Sequence, residues 1–141
     1  MKIYTPIETE ETCFEPLEMK TEGARSFESF YNARRHLANR IVSRAQSDRL
    51  FARALLSDEN HGDELREFLS KETGRNDIEA YFHRHDDGKE FPGDVKKALR
   101  RFVMDVASGE NAYHVYAFRM DELSIRFDIV ESEIGKEGES K

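Results

Sequence analysis

Residues 26–46 carry the sequence feature that most constrains the fold, an apolar stripe with the period of an α-helix. Projected at about 100° per residue, the apolar side chains fall on one continuous face, and Glu28, Asn32 and Ser43 lie opposite. The buried face of this predicted amphipathic helix consists of Phe27, Phe30, Tyr31, Leu37, Ala38, Ile41, Val42 and Ala45. Other segments of the chain must therefore supply an apolar surface that covers this helix.

Arg34 is out of place on this helix, because the same projection puts its guanidinium inside the apolar stripe. Burying an unpaired charge is costly, so we expect Arg34 either to reach solvent along its stem or to meet a carboxylate from another segment. A buried ion pair is the simpler interpretation. An anion anchor in a cleft is the alternative.

Four further helices are predicted from the apolar period and from capping residues. Residues 95–107 form the clearest of them, between Pro92 and Gly109, with Lys96, Lys97, Arg100 and Arg101 on the outer arc. Shorter helices are predicted over residues 47–56, with Leu50 inside, over residues 63–71, and after Asn76.

The end of the chain changes to a period of two. Residues 113–120 and 124–133 predict a β-hairpin, and a strand over residues 2–7 is expected to join it as a third strand. Pro6 limits that strand to an edge of the sheet or to its own end.

The predicted fold class is α+β, a mainly helical single domain of about five helices with a C-terminal β-hairpin, extended to a three-stranded antiparallel sheet by the N-terminal strand. The domain covers residues 1–134, and residues 135–141 form a polar tail. Residues 8–24 are acidic and have no clean period, so they predict a largely irregular arm within the domain.

Composition narrows the class of protein further. Charged residues make up 36% of the chain, but 10 Phe and 5 Tyr favour a folded domain over a disordered one. Cys13 is the single cysteine, which excludes an intrachain disulfide and makes a cytoplasmic location the default. No apolar run approaches the ~18 residues that cross a bilayer, so no membrane partner is predicted.

The net charge of −7 at pH 7 hides alternating segments. Residues 25–53 carry 7 basic and 2 acidic side chains, net +5, and residues 95–109 carry 4 and 1, net +3. Residues 54–94 carry 5 basic and 12 acidic side chains, net −7. Such segments either neutralise one another inside the fold or leave separate acidic and basic faces.

The acidic segments predict a surface for a protein partner whose own groove is basic. Small acidic α+β inhibitors of nucleic-acid enzymes, as in phage and plasmid biology, have this kind of composition, and the analogy is one of composition alone. The predicted partner-binding residues are Asp58, Glu59, Asp63, Glu64, Glu67, Asp86 and Asp87.

The basic segments predict a nucleic-acid-binding face if the first and last long helices are neighbours. No helix-turn-helix, ribonucleoprotein or zinc-finger pattern accompanies them. The predicted nucleic-acid-binding residues are Arg35, Arg40, Arg44, Arg49, Arg53, Lys97 and Arg101.

A third interpretation uses the potential metal ligands Glu79, His83 and Asp87, which would stack at i, i+4 and i+8 on one helix face. They would serve a metal-dependent hydrolase or nuclease, with Arg34 or Arg84 holding a phosphate. No metal-binding signature, nucleophile elbow or phosphate loop supports this chemistry, so no catalytic residue, metal or cofactor is predicted.

The leading hypothesis from sequence is a non-enzymatic protein-interaction module, an inhibitor or accessory protein that acts on a larger, nucleic-acid-processing partner. Nucleic-acid binding and metal-dependent hydrolysis are the alternatives. The sequence leaves the partner's identity and the oligomeric state open.

Overall fold

The computed structural model describes residues 1–12, 15–21, 26–84, 90–107, 111, 113–120 and 123–133. In this part of the chain it has five helices and four strands. The strands are β1 (Lys2–Thr12), β2 (Glu15–Thr21), β3 (His114–Met120) and β4 (Leu123–Glu133). The helices are α1 (Phe30–Ser47), α2 (Arg49–Ser57), α3 (Gly62–Thr73), α4 (Ile78–Phe82) and α5 (Gly93–Asp105). The predicted α+β class is confirmed, while Cys13 and the predicted tail 135–141 lie outside the described residues.

The four strands form one antiparallel sheet in the order β2-β1-β4-β3. The β3–β4 hairpin and its extension by the N-terminal strand are confirmed. The prediction of a largely irregular arm over residues 8–24 is wrong where the structure describes it, because β1 continues to Thr12 and Glu15–Thr21 form β2.

The far half of β1 has acidic side chains where an interior strand usually has apolar ones. Glu8 pairs with Phe127 of β4 and is only 6% exposed, on the face of the sheet that meets the helices. Its carboxylate lies 3.2 Å from Arg44 Nη1, and Glu10 Oε1 lies 2.9 Å from Arg44 Nη2. Arginines of α1 thus replace the apolar contacts that a periodicity argument looks for.

β1 is an interior strand although it contains Pro6, so the restriction to an edge or a strand end is also wrong. Pro6 pairs with Ile129, whose N–H donates to the Tyr113 carbonyl at 2.8 Å, on the side of β4 away from β1. Pro6 and Ile129 therefore form a non-hydrogen-bonded pair, and the nitrogen of Pro6 faces the β2 side. There the pairing begins only at Ile7, so among the described residues the missing N–H removes no ladder hydrogen bond.

The helices cover one face of the sheet, and the core lies between the two layers. Ile125, Phe127 and Ile129 of β4 point into it, while Arg126 and Val130 are exposed on the opposite face. The predicted stripe of α1 is largely confirmed. Its buried residues are Ala33, Leu37, Ala38, Ile41, Val42 and Ala45.

Two residues that were predicted to be buried are exposed to solvent. Tyr31 is 60% exposed and Leu50 is 54% exposed. Leu50 lies in the first turn of α2, on the side that faces away from the core. The first buried residue of that helix is Phe51. Tyr31 lies at the edge of the α1 stripe, in the first turn of a helix that begins at Phe30 rather than at residue 26. The hydroxyl of Ser29 sets this start by accepting the Asn32 N–H at 3.2 Å.

Arg34 reaches the carbonyl end of α5, a partner that the sequence prediction of solvent or a carboxylate did not include. Its Nη2 donates to the Met104 carbonyl and, at 3.4 Å, to the Val103 carbonyl. These carbonyls are in the last turn of α5, where no intrahelical donor remains and where a cation also meets the negative end of the helix dipole. Burial lowers the pKa of Arg34, and the charge of the nearby Asp105 opposes that shift.

Arg84 holds the end of α1 in the same way, and it is only 3% exposed. Its Nη2 donates to the carbonyls of Ala45 at 2.9 Å and Gln46 at 2.8 Å, and its Nη1 donates to Tyr81 at 3.0 Å. Its guanidinium carbon lies 5.2 Å from the centroid of the Phe91 ring. Arg84 is therefore a structural residue, and the hypothesis that it holds a phosphate is wrong.

Candidate functional site

α1 and α5 are antiparallel neighbours, which is the condition that the nucleic-acid hypothesis required. Arg34, near the start of α1, reaches Met104 near the end of α5. At the other end, Gln46 of α1 and Lys96 of α5 line one shared depression. The two helices therefore run side by side in opposite directions, and the side chains between them border the same surface.

A groove of about 320 Å³ opens between the two helices. We call it the α1–α5 groove. Its basic lining residues are Arg35 of α1 and Lys97, Arg100 and Arg101 of α5. The other residues that line it are Tyr31, Met104 and Asp105.

A second depression of about 340 Å³ continues the groove toward the end of α1. Arg100 lines both depressions, so they adjoin at this side chain. The lining residues of α5 run from Lys96 to Asp105, which is about 14 Å along the helix axis. The remaining lining residues are Asn39, Val42, Ser43, Gln46 and Lys96.

Three cations of the groove have no ion pair with any residue that the structure describes: Arg35, Lys97 and Arg100. Arg100 Nε is buried and has no hydrogen-bond acceptor within the same residues. By contrast, Arg101 Nη1 lies 3.0 Å from Glu72 Oε1, and Lys96 Nζ lies 3.1 Å from Glu90 Oε1. Three converging positive charges without an ion pair among the described residues raise the local potential of a concave surface and attract anions, and the single carboxylate of the same lining, Asp105, opposes them in part.

Comparisons of the chain with protein-family models, with curated protein sequences and with solved structures gave no match. The chemistry of the groove must therefore carry the functional argument alone. Within the described ranges, no helix is both long and apolar enough to span a membrane.

The groove gathers three of the seven residues predicted to bind nucleic acid, namely Arg35, Lys97 and Arg101. Arg40 and Arg44 instead face the sheet, where both lie within ion-pair distance of the buried Glu8. Arg49 and Arg53 are half-buried on α2 and do not line the groove as described. Sequence reasoning had placed Tyr31 in the core, and it had counted Arg100 in the basic face of the last helix without selecting it as a predicted binding residue.

The acidic residues predicted to bind a protein partner fall into three groups. Asp58 is 4% exposed, and its Oδ2 accepts the His61 N–H at 2.9 Å, so it holds the turn before α3 together. Asp86 and Asp87 lie outside the described residues. The exposed members are Glu59, Asp63, Glu64 and Glu67 on that turn and on α3. The hypothesis of a protein partner or inhibitor surface stays a prediction.

The metal stripe required a helix that continues through residue 87, but α4 ends at Phe82 and His83 is its C-cap. Glu79 Oε1 accepts a hydrogen bond from Arg66 Nε at 2.6 Å, and Asp87 lies outside the described residues. The helix that would stack these ligands therefore ends before His83. Within the residues that can be described, no three potential ligands converge on a metal site.

Proposed function

We propose that this protein is a non-enzymatic binding module that holds nucleic acid in the α1–α5 groove. The observation that carries the proposal is the convergence of Arg35, Lys97 and Arg100 from two helices, without ion pairs among the described residues. Nucleic acid fits because its phosphates repeat along a chain, as the cations repeat along the groove.

The net charge of −7 does not exclude nucleic-acid binding, but it limits the affinity and the salt dependence of that binding. Exposed carboxylates elsewhere repel a polyanion, so attraction is confined to the groove, and few phosphates are neutralised at once. We therefore expect weak to moderate affinity and a shallow salt dependence, governed by about three contacts.

Charge reversal in the groove tests the proposal directly. We expect the double variant Arg35→Glu with Lys97→Glu to bind an oligothymidylate of about 20 nucleotides at least ~10-fold more weakly at low salt, because two attractive contacts become repulsive. The slope of log K against log salt should change from roughly −2 to below about −1 in magnitude. Fluorescence anisotropy with a labelled oligonucleotide measures both quantities.

Lys71→Glu with Arg126→Glu is the matched control, since it changes the net charge equally at exposed residues outside the groove. This control should bind within about threefold of the wild type, through the change in overall charge alone. Equal losses in the two double variants would contradict the proposal, as would an unmodified protein that binds no nucleic acid at low salt.

Asp105 provides a test in the opposite direction, because it is a carboxylate on the wall of a groove proposed to hold phosphates. We expect Asp105→Asn to strengthen oligonucleotide binding by about threefold, since it removes the repulsion of a carboxylate on the groove wall and one of the two ion pairs of Arg101, whose Nε lies 3.7 Å from that carboxylate. The same anisotropy titration measures it. Glu67→Gln, an exposed carboxylate on α3, should leave the affinity nearly unchanged, and weaker binding by Asp105→Asn would argue against an anionic ligand.

A further inference from the structure

Tyr31 is the feature of the groove that charge does not explain. It is 60% exposed, and its side chain makes no ring contact or hydrogen bond with any described residue. Its ring lies in the groove with Met104, the only other large apolar side chain of that lining. An aromatic ring left open beside unpaired cations is suited to a ligand that carries both flat apolar surfaces and negative charge.

We infer that the ligand of the α1–α5 groove is single-stranded nucleic acid, with one base stacked on Tyr31 and the adjoining phosphates on Arg35, Lys97 and Arg100. The inference rests on the proposed function and names its substrate class. Tyr31 and Arg35 are four residues apart on α1, so they lie on the same face one turn apart. A base on the ring thereby brings its own backbone alongside the first cation.

A duplex fits this arrangement poorly for a geometric reason. Its bases are already paired and stacked, so a surface side chain meets only phosphates and groove edges. A duplex also presents a convex surface to a cleft between two helices. In a single strand the bases can leave the stack and pack on an aromatic side chain, which every base does because each has a π-face.

The groove also predicts little sequence preference. Stacking and phosphate contacts read no base edge, and the unpaired donors of the lining are cations suited to phosphates. A strand of about three or four nucleotides spans such a short site, at the lower end of the usual range of site sizes.

The experiment separates the ring from the charges with two variants of an exposed residue. Tyr31→Leu removes the π-face and keeps an apolar side chain, whereas Tyr31→Phe keeps the ring. We expect Tyr31→Leu to bind oligothymidylate about 10-fold more weakly with the same salt slope, because the phosphate contacts remain, and Tyr31→Phe to stay within about twofold of wild type.

Two further probes define the ligand class, a duplex of the same length and a poly-glutamate peptide. The wild type should bind each at least ~10-fold more weakly than the single strand. A 2-aminopurine base in the oligonucleotide should change its emission on binding to the wild type and not on binding to Tyr31→Leu.

The outcomes distinguish this inference from the proposed function. Equal affinity for duplex and single strand, with Tyr31→Leu unchanged, overturns the stacked single strand while leaving a nucleic-acid groove in place. Preference for poly-glutamate overturns both and makes the ligand an acidic protein segment. Binding that depends on Tyr31 but not on Arg35 and Lys97 overturns the placement of the phosphates.

Discussion

Replacing Arg84 by methionine is expected to lower the free energy of unfolding by about 3 kcal/mol. The side chain is 3% exposed, and its guanidinium donates to carbonyls of Ala45, Gln46 and Tyr81. Methionine retains much of the apolar stem but leaves carbonyls at the end of α1 without their donor. Each buried acceptor left unsatisfied costs about 1–3 kcal/mol. For a chain of this size, a total loss of about 3 kcal/mol lowers Tm by roughly 10 °C. Urea denaturation followed by circular dichroism measures the change.

Arg84→Lys and Arg126→Met complete the test of this residue. Lysine keeps the charge but has no planar fork, so it cannot reach three carbonyls in the same geometry and should lose more than half of the same free energy. Arg126 has a side chain 59% exposed and one ion pair at 3.4 Å, so Arg126→Met should cost well under 1 kcal/mol. If Arg84→Met were as stable as Arg126→Met, Arg84 would not be what fixes the end of α1.

The helices and the hairpin were predictable from sequence because their information is local. The period of 3.6 over α1 and α5 follows from which side chains face the core, and a reader needs no partner segment to detect it. Gly74 likewise ends α3, in the left-handed conformation at φ 70° that glycine adopts readily. The starts of α1 and α2 differ from the predicted ranges by a few residues, because the N-caps are Ser29 and Asp48.

The extension of β1 and the strand β2 were not predictable by the same method. Glu8 and Glu10 occupy positions where a half-buried strand normally has apolar residues. They are tolerated because Arg40 and Arg44 of α1 meet them, and that pairing joins residues more than thirty positions apart. A search for apolar periodicity cannot detect a strand whose inward-facing side chains are carboxylates in ion pairs.

The basic residues of the groove were predictable from sequence, but which of them would remain without an ion pair was not. The sequence identified the basic faces of α1 and α5, yet ion pairs formed by the fold decide which cations remain for a ligand. Arg44 is committed to the sheet and Arg101 to Glu72, while Arg35 and Lys97 are not. The alternating charge of the chain is thus neutralised in part inside the fold, and three cations of one groove keep no ion pair with any residue that the structure describes.

Among the glycines that the structure describes, Gly62 is the one where an added methyl group meets the closest contact. It is buried at the first position of α3, and a Cβ there would lie 2.4 Å from the Leu56 carbonyl oxygen and 3.0 Å from its carbon. Those atoms belong to the backbone of α2, which cannot rotate away as a side chain can. We expect Gly62→Ala to lower the free energy of unfolding by about 3 kcal/mol, the upper part of the usual cost of overpacking, measured by urea denaturation.

Gly93 provides the same substitution without the contact, since it is the first residue of α5 and a Cβ there would meet nothing within 4 Å. Gly93→Ala should therefore be neutral or stabilising by about 0.5 kcal/mol, through the lower entropy of the unfolded chain. The difference between the two variants isolates steric contact from the intrinsic preference for alanine in a helix. Equal stability of the two proteins would mean that α2 and α3 do not approach as closely at this joint as the structure shows.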